Sequence, residues 1–215
     1  MTSEATAQQF TTNPLNQTFQ LPSGIVLPNR LAKSAMSEAL ATYDNHPTPE
    51  LVELYRRWAQ SGIGMLITGN VMIDRRALGE PGNVVIEDEA DMVLLSQWAN
   101  AVTSQGCTAW VQLNHPGKQS PKGLNRFNLS PSAVPFRQEM TAFFETPREA
   151  TSAEIQDIIE RFGRSAAICK KAGFSGVQIG TVVAITGSSP SPGTERSRNH
   201  VPAHNRAGFR QAIDA

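Results

Sequence analysis

Charge of one sign is what this chain most lacks. Lysine plus arginine number 19 and aspartate plus glutamate number 19, so the formal net charge over 215 residues is zero. A balanced chain has no field to gather phosphate backbones or anionic lipid, and no basic run appears along it, so neither nucleic acid nor a membrane is expected as a partner. No apolar stretch approaches the ~20 residues of a bilayer-spanning helix. Residues 1–16 are polar, hold no lysine or arginine and contain no apolar segment of signal-peptide type. They are read as a disordered N-terminal tail, with the cytoplasm as the default location. Cysteine is scarce: Cys107 and Cys169 are the only two, far apart and outside any C-x-x-C, which suits packed, reduced thiols. His46, His115, His200 and His204 are scattered without zinc-site spacing, so no metal is expected. A G-x-G-x-x-G after a strand and a P-loop are both missing, which leaves no support for a Rossmann dinucleotide site or a nucleoside triphosphate site.

What is present is a regular alternation. Thr48-Pro49-Glu50 supplies a helix cap, a proline suited to the first turn and an early acid, and Leu51, Leu54, Tyr55 and Trp58 follow at helical spacing up to Gly62. A second helical stripe runs through Met92, Leu95, Ala99 and Val102 to Gly106. A third opens on the capping pair Thr151 and Glu154, carries Ile155, Ile158, Ile159, Phe162, Ala166 and Cys169 on one face, and meets Gly173. Each glycine leads into a short apolar run, at 63–67, 108–113 and 174–179, and a further run at 30–36 precedes the first helix. Near-continuous apolar strands alternating with helices predict a parallel sheet covered by helices, with strands near 30–36, 63–68, 108–113 and 175–179. Ahead of them, residues 19–27 read as a hairpin turning at Pro22-Ser23-Gly24. The long Pro-, Ser- and Asn-rich region 117–147 follows a strand's C-terminal end and reads as a functional lid or rim. From 187 to 215 the pattern dissolves into an irregular tail.

In βα folds chemistry sits at the C-terminal ends of the strands, and here those ends are polar. They carry Ser34, Met36, Ser37 and Glu38; Thr68, Gly69 and Asn70; Gln112, Asn114, His115 and Gly117; then Gln178 and Gly180. Any one of these could be a loop residue serving its own backbone; their convergence on one face points to a site. The same residues carry a resemblance. Leu27-Pro28-Asn29-Arg30-Leu31 followed by 33–39 resembles the opening strand of the old yellow enzyme family. Residues 112–118 resemble its Q-L-x-H-x-G-R motif, with Lys118 for the arginine, and 172–179 is similar to its fourth strand. The likeness runs in order from about residue 18 to 179.

The resemblance implies a TIM (β/α)8 barrel of the α/β class, of which 17–186 would hold about the first four βα units behind the N-terminal hairpin. It implies FMN as cofactor and NADH or NADPH as reductant, with hydride passing from flavin N5 to an activated, α,β-unsaturated alkene. By the same resemblance, Ala35 and Met36 would offer backbone to the isoalloxazine and Ser37 would lie near its reactive edge. Gly69 would permit close approach, and Gln112 would give its amide to the pyrimidine.

The sequence departs from the family after Ile179. Where H-x-A-H/N-G-Y would polarise the substrate carbonyl and donate a proton, residues 180–186 read Gly-Thr-Val-Val-Ala-Ile-Thr. No catalytic residue is therefore assigned between Gly180 and Ile185. Residues 191–196 and 205–209 echo later family motifs, a pattern that suggests a disrupted reading frame. The expectation is a truncated barrel, inactive and of low stability on its own. A non-catalytic remnant acting through its open sheet is the alternative. A βα-barrel lyase or hydrolase lacks its paired carboxylates or metal cluster. Homo-oligomerisation stays open.

Overall fold

A computed structural model of the chain describes residues 13–180. The expected tails, residues 1–12 and the whole of 187–215, lie outside that range, as do residues 181–186 of the divergent stretch. The described part opens with a two-stranded antiparallel hairpin, β1 (Phe19–Gln20) with β2 (Val26–Leu27). It turns at Gly24, whose φ of 88° suits a residue without a side chain. Next come β3 (Ala32–Lys33), α1 (Pro49–Ala59), β4 (Met65–Met72), β5 (Val84–Val85), α2 (Met92–Thr103) and β6 (Thr108–Asn114). The chain continues through β7 (Leu129–Ser130), β8 (Arg148–Glu149), α3 (Ser152–Ala172) and β9 (Gly176–Gly180).

The main sheet is parallel, in the sequential order β3-β4-β6-β9, with β5 added beside the end of β4. The helices begin where their caps place them. Thr48 Oγ1 accepts the Leu51 N–H at 3.2 Å, with Pro49 at the first helical position, where its missing N–H costs nothing. Thr151 and Glu154 form the reciprocal capping box predicted for α3, which ends on Gly173 at φ 98°.

One face of the sheet is dry. Leu66, Val71, Ile73, Ala109, Val111 and Leu113 pack with helix residues including Leu51, Tyr55, Trp98, Ile158 and Phe162 in a single buried cluster. Trp98 sits at its centre, 1% exposed, edge-on to Tyr55 at 5.1 Å and to Phe174 at 5.5 Å. Because strand side chains alternate, the opposite face receives Ile67, Trp110, Gln112, Asn114 and Gln178. Cys107 and Cys169 are buried and outside any disulfide, and burial pushes their thiols up to about 11 and about 12.

The strand boundaries differ from the sequence reading in two places. The first strand is two residues long, not seven, because after Lys33 the backbone leaves its pairing with β4 and crosses that strand at Gly69. The second runs to Met72, so Thr68-Gly69-Asn70 lies within the strand rather than beyond it, and a β-bulge there, between Ile67 and Asn70, hides the continuation. Nothing in the sequence pattern announces β5. Region 117–147 does follow a strand's C-terminal end. It holds 3-10 turns at Gly117–Gln119 and Gln138–Met140, and β7 within it pairs in parallel with β8. No helix of the described residues is long and apolar enough to cross a membrane.

Candidate functional site

The C-terminal half of the sheet's open face is built from neutral amides. Asn70, Gln112 and Gln178 stand in register on three adjacent strands. Gln112 Nε2 donates to Gln178 Oε1 at 2.8 Å, and one step further along Asn114 Nδ2 donates to Asn70 Oδ1 at 3.0 Å. One Gln112 N–H is thus fixed, which orients an amide that still carries a second N–H and an oxygen. Below this row lie Ile67, Trp110 and Gly176, also in register. Gly176 leaves room for the indole, since a Cβ there would stand 2.8 Å from it.

The segment after β3 crosses β4 at Gly69. A Cβ at Gly69 would collide with the Met36 carbonyl oxygen and the Glu38 carboxylate, so the crossing needs glycine. Met36, flanked by Ala35 and Ser37, is 53% exposed. The Ser37 hydroxyl donates to the Glu80 carboxylate. Met36 and Gly69 are therefore in contact, and Gly69 precedes Asn70, the register partner of Gln112. Of these five positions, Met36 and Gly69 touch, Gln112 stands opposite the residue after Gly69, and the Ser37 hydroxyl is taken by Glu80.

The sequence reading gave no role to the residues that hold this arrangement, though it named Glu38 among the polar strand ends. Glu38 Oε1 accepts the Gly69 N–H at 2.9 Å and the Tyr55 hydroxyl. Tyr55 comes from α1 and is 1% exposed. Burial, and then the Glu38 charge, push its phenol far above the ordinary range, so it stays a donor. Lys33 Nζ donates to the Ile67 and Ser34 carbonyls, both at 2.9 Å, and lies 4.7 Å from the Trp58 ring centre. Burial lowers the Lys33 pKa, with Glu38 opposing. Tyr55 and Trp58 had signalled only a helix stripe, and nothing in that spacing reports a hydroxyl reaching through to a strand end.

Beyond the tip of β6, His115 is 4% exposed and its Nδ1 accepts the Gly117 N–H at 3.2 Å. Burial lowers its pKa to about 4, with Asp74 opposing. It lines a cavity of about 160 Å³ with Asp74, Arg76, Phe127, Arg148 and Asp157, among others. Burial works against the Asp74 charge there. Hydrogen bonds from the Arg76 side chain and backbone, with Arg161 nearby, outweigh it and lower the carboxyl pKa. Among the described residues no group of three or more His, Cys, Asp or Glu is placed to hold a metal ion.

A parallel sheet in sequential strand order with helices packed on one face is the architecture of part of a βα-barrel. The family model of the NADH:flavin oxidoreductase / NADH oxidase family matches residues 16–184, and the chain belongs to that family. It is similar to the NADH-dependent flavin oxidoreductase iliE of Hypocrea jecorina (strain QM6a). The two are 35% identical over 176 residues, covering 74% of this chain and 44% of that protein. It is also similar to the NADH:fumarate oxidoreductase of Klebsiella pneumoniae (strain 342), at 34% identity over 76% of this chain and 17% of the other. Among solved structures, a morphinone reductase mutant in complex with tetrahydroNAD superposes with a TM-score of 0.75 at 24% identity, over 94% of this chain and 59% of that one. The old yellow enzyme homologue from Zymomonas mobilis gives 0.68 at 24% identity, over 78% and 48%. These two likenesses show the fold. The chain spans less than half the length of these two curated relatives.

Proposed function

We propose that residues 17–186 form the part of an FMN-dependent oxidoreductase barrel that holds the pyrimidine side of the flavin, in a protein that uses NADH or NADPH to reduce small activated alkenes. The observation that carries this is the row at the strand ends: Gln112, oriented by Gln178 at 2.8 Å, lies across from Asn70 beside the Gly69–Met36 crossing.

The donor set fits the group. A flavin pyrimidine edge alternates carbonyl acceptors with an N–H donor, and an amide meets it with an N–H and an oxygen without introducing charge. Gln112 would bind that edge, with its amide kept from rotating by Gln178, and the backbone of Ala35 and Met36 and the Ser37 hydroxyl would be the groups offered to the rest of the ring. When bound, FMN supplies two-electron chemistry, accepting hydride from the nicotinamide and returning it to the β-carbon of the alkene.

Ene reduction needs more than the flavin. The substrate carbonyl must be polarised and a proton supplied, and the sequence from Gly180 to Ile185 holds no His, Asn or Tyr for either task. The second reading, a non-catalytic remnant or interaction fragment of such a barrel, draws on that stretch. Expression of residues 1–215 tests both. FMN bound on titration into the chain, with no NADPH-dependent reduction of an activated enone, is the expected result. A chain that takes up no FMN overturns the first reading, and enone turnover overturns the second.

A further inference from the structure

The β4 bulge is the feature of the site that no motif announces. Ile67 pairs with Trp110 and Asn70 with Gln112, so Thr68 and Gly69 together oppose the single residue Val111. Bulges are rare between parallel strands and common beside active sites, where they re-aim side chains. Strict alternation would put residue 69 on the face of Ile67 and turn Asn70 toward the helices. The extra residue reverses this. Asn70 joins Gln112 on the open face, and Val71 goes to the core.

Such a bulge leaves ladder groups without their strand partners, and here side chains take four of them. Gln112 N–H donates to Thr68 Oγ1 at 2.9 Å, and that hydroxyl donates to the Gly69 carbonyl at 2.8 Å. The Ile67 carbonyl accepts from Lys33 Nζ at 2.9 Å. The Gly69 N–H goes to Glu38 at 2.9 Å, with the Tyr55 hydroxyl 3.3 Å away. Glu38 is the hub. It belongs to the 35–38 segment itself, so one carboxylate ties that segment to the bulge and both to the helix layer through Tyr55.

Resting on the flavin reading above, we propose that Glu38, anchored by Tyr55, is a positioning residue for the flavin: it clamps the Gly69 amide and so fixes the Met36 backbone and the Asn70–Gln112 row at the spacing the ring requires. Glu38 need not touch the ring. It needs an oxygen acceptor at one point, and its charge is not required for that, so glutamine should serve in its place.

The test uses residues 1–215 and three variants, Glu38→Ala, Glu38→Gln and Tyr55→Phe. Amide hydrogen exchange at Gly69, followed by NMR in protein without FMN, reads the clamp, and FMN affinity from flavin fluorescence reads its purpose. Glu38→Ala is expected to speed Gly69 exchange at least tenfold and weaken FMN about tenfold, the effect of leaving a buried N–H without its acceptor. Val111 and Leu113 should stay protected. Glu38→Gln should stay within about twofold of the parent on both readouts, and Tyr55→Phe should fall between. Global loss of protection in Glu38→Ala leaves Tyr55→Phe, a one-atom change, to decide. Unchanged Gly69 exchange in Tyr55→Phe and Glu38→Ala overturns the clamp, and faster exchange with unchanged FMN affinity overturns its role toward the flavin. A parent chain that takes up no FMN overturns the flavin reading, and this role with it, while Gly69 exchange shows whether the clamp itself exists.

Discussion

Acid should loosen the end of β6 through His115. The imidazole is 4% exposed and burial lowers its pKa from 6.5 to about 4. The folded state therefore favours the neutral ring, while the unfolded chain takes up a proton over that interval. Stability is fully present above about pH 6.5 and is lost as pH falls toward about 4. The shift corresponds to about 3 kcal/mol, a large share of the ~5–15 kcal/mol of an ordinary domain. The carboxylates held by arginine act lower down. Glu154, lowered to about 2 by Arg148 and by Thr151, loses its contribution mainly below this window. The assay is urea unfolding by circular dichroism in steps across the window, on the parent and on His115→Asn. Asparagine keeps an acceptor for the Gly117 N–H and does not titrate. The parent should lose about 3 kcal/mol and the variant much less, so the two stability curves converge at acid pH. Parallel curves would refute the argument, because they would mean that the ring is wet or already charged in the folded protein.

Gln112→Ala should weaken FMN by about 1–3 kcal/mol, since it leaves a buried polar edge unpaired; titration of flavin fluorescence measures it. Gly69→Ala should cost about 1–3 kcal/mol of stability, because its Cβ meets the Met36 carbonyl and Glu38. Gly173→Ala meets only the Ala99 Cβ at 3.8 Å but must hold φ 98°, so it should cost about 1–2 kcal/mol through the backbone alone; thermal unfolding compares the pair. Of the two tyrosines, Tyr55 should stay a phenol until the fold is lost at alkaline pH. Ultraviolet absorbance should then show the same tyrosinate amplitude before unfolding in Tyr55→Phe as in the parent.

Local chemistry made much of this fold legible. The α3 capping box, the helix-ending glycines and the apolar runs behind them each act over a few residues, so sequence spacing reports them directly, and β4, β6 and β9 begin within two residues of where those runs predict. The failures are nonlocal. The run 30–36 is apolar enough for a long strand, yet only Ala32 and Lys33 pair, because the chain must leave the sheet to cross Gly69. Residues 84 and 85 pair with the last two residues of β4, a contact that only the extended β4 creates.

The bulge shows why the site was half legible. Gln112 stood out as a polar residue closing an apolar run, in a stretch that resembles a family motif, and in the fold it alternates with the buried Val111 and Leu113. Residues 65–72 have no such alternation: their burial recurs every third residue, with Ile67 and Asn70 the less buried positions. A pattern like that reads from sequence as a strand stopping at Thr68, when it is a strand that continues with one residue inserted. What makes the insertion tolerable is spread along the chain, with Lys33 and Glu38 on one segment, Tyr55 on a helix and Thr68 at the bulge itself. Each has an ordinary explanation alone, as a surface charge, a core aromatic or a strand hydroxyl. Only when β3 and β4 lie side by side do they become partners for the Ile67 carbonyl, the Gly69 N–H and the Gln112 N–H, and the glycine that looked like an opening for a cofactor is also the point where the chain crosses itself.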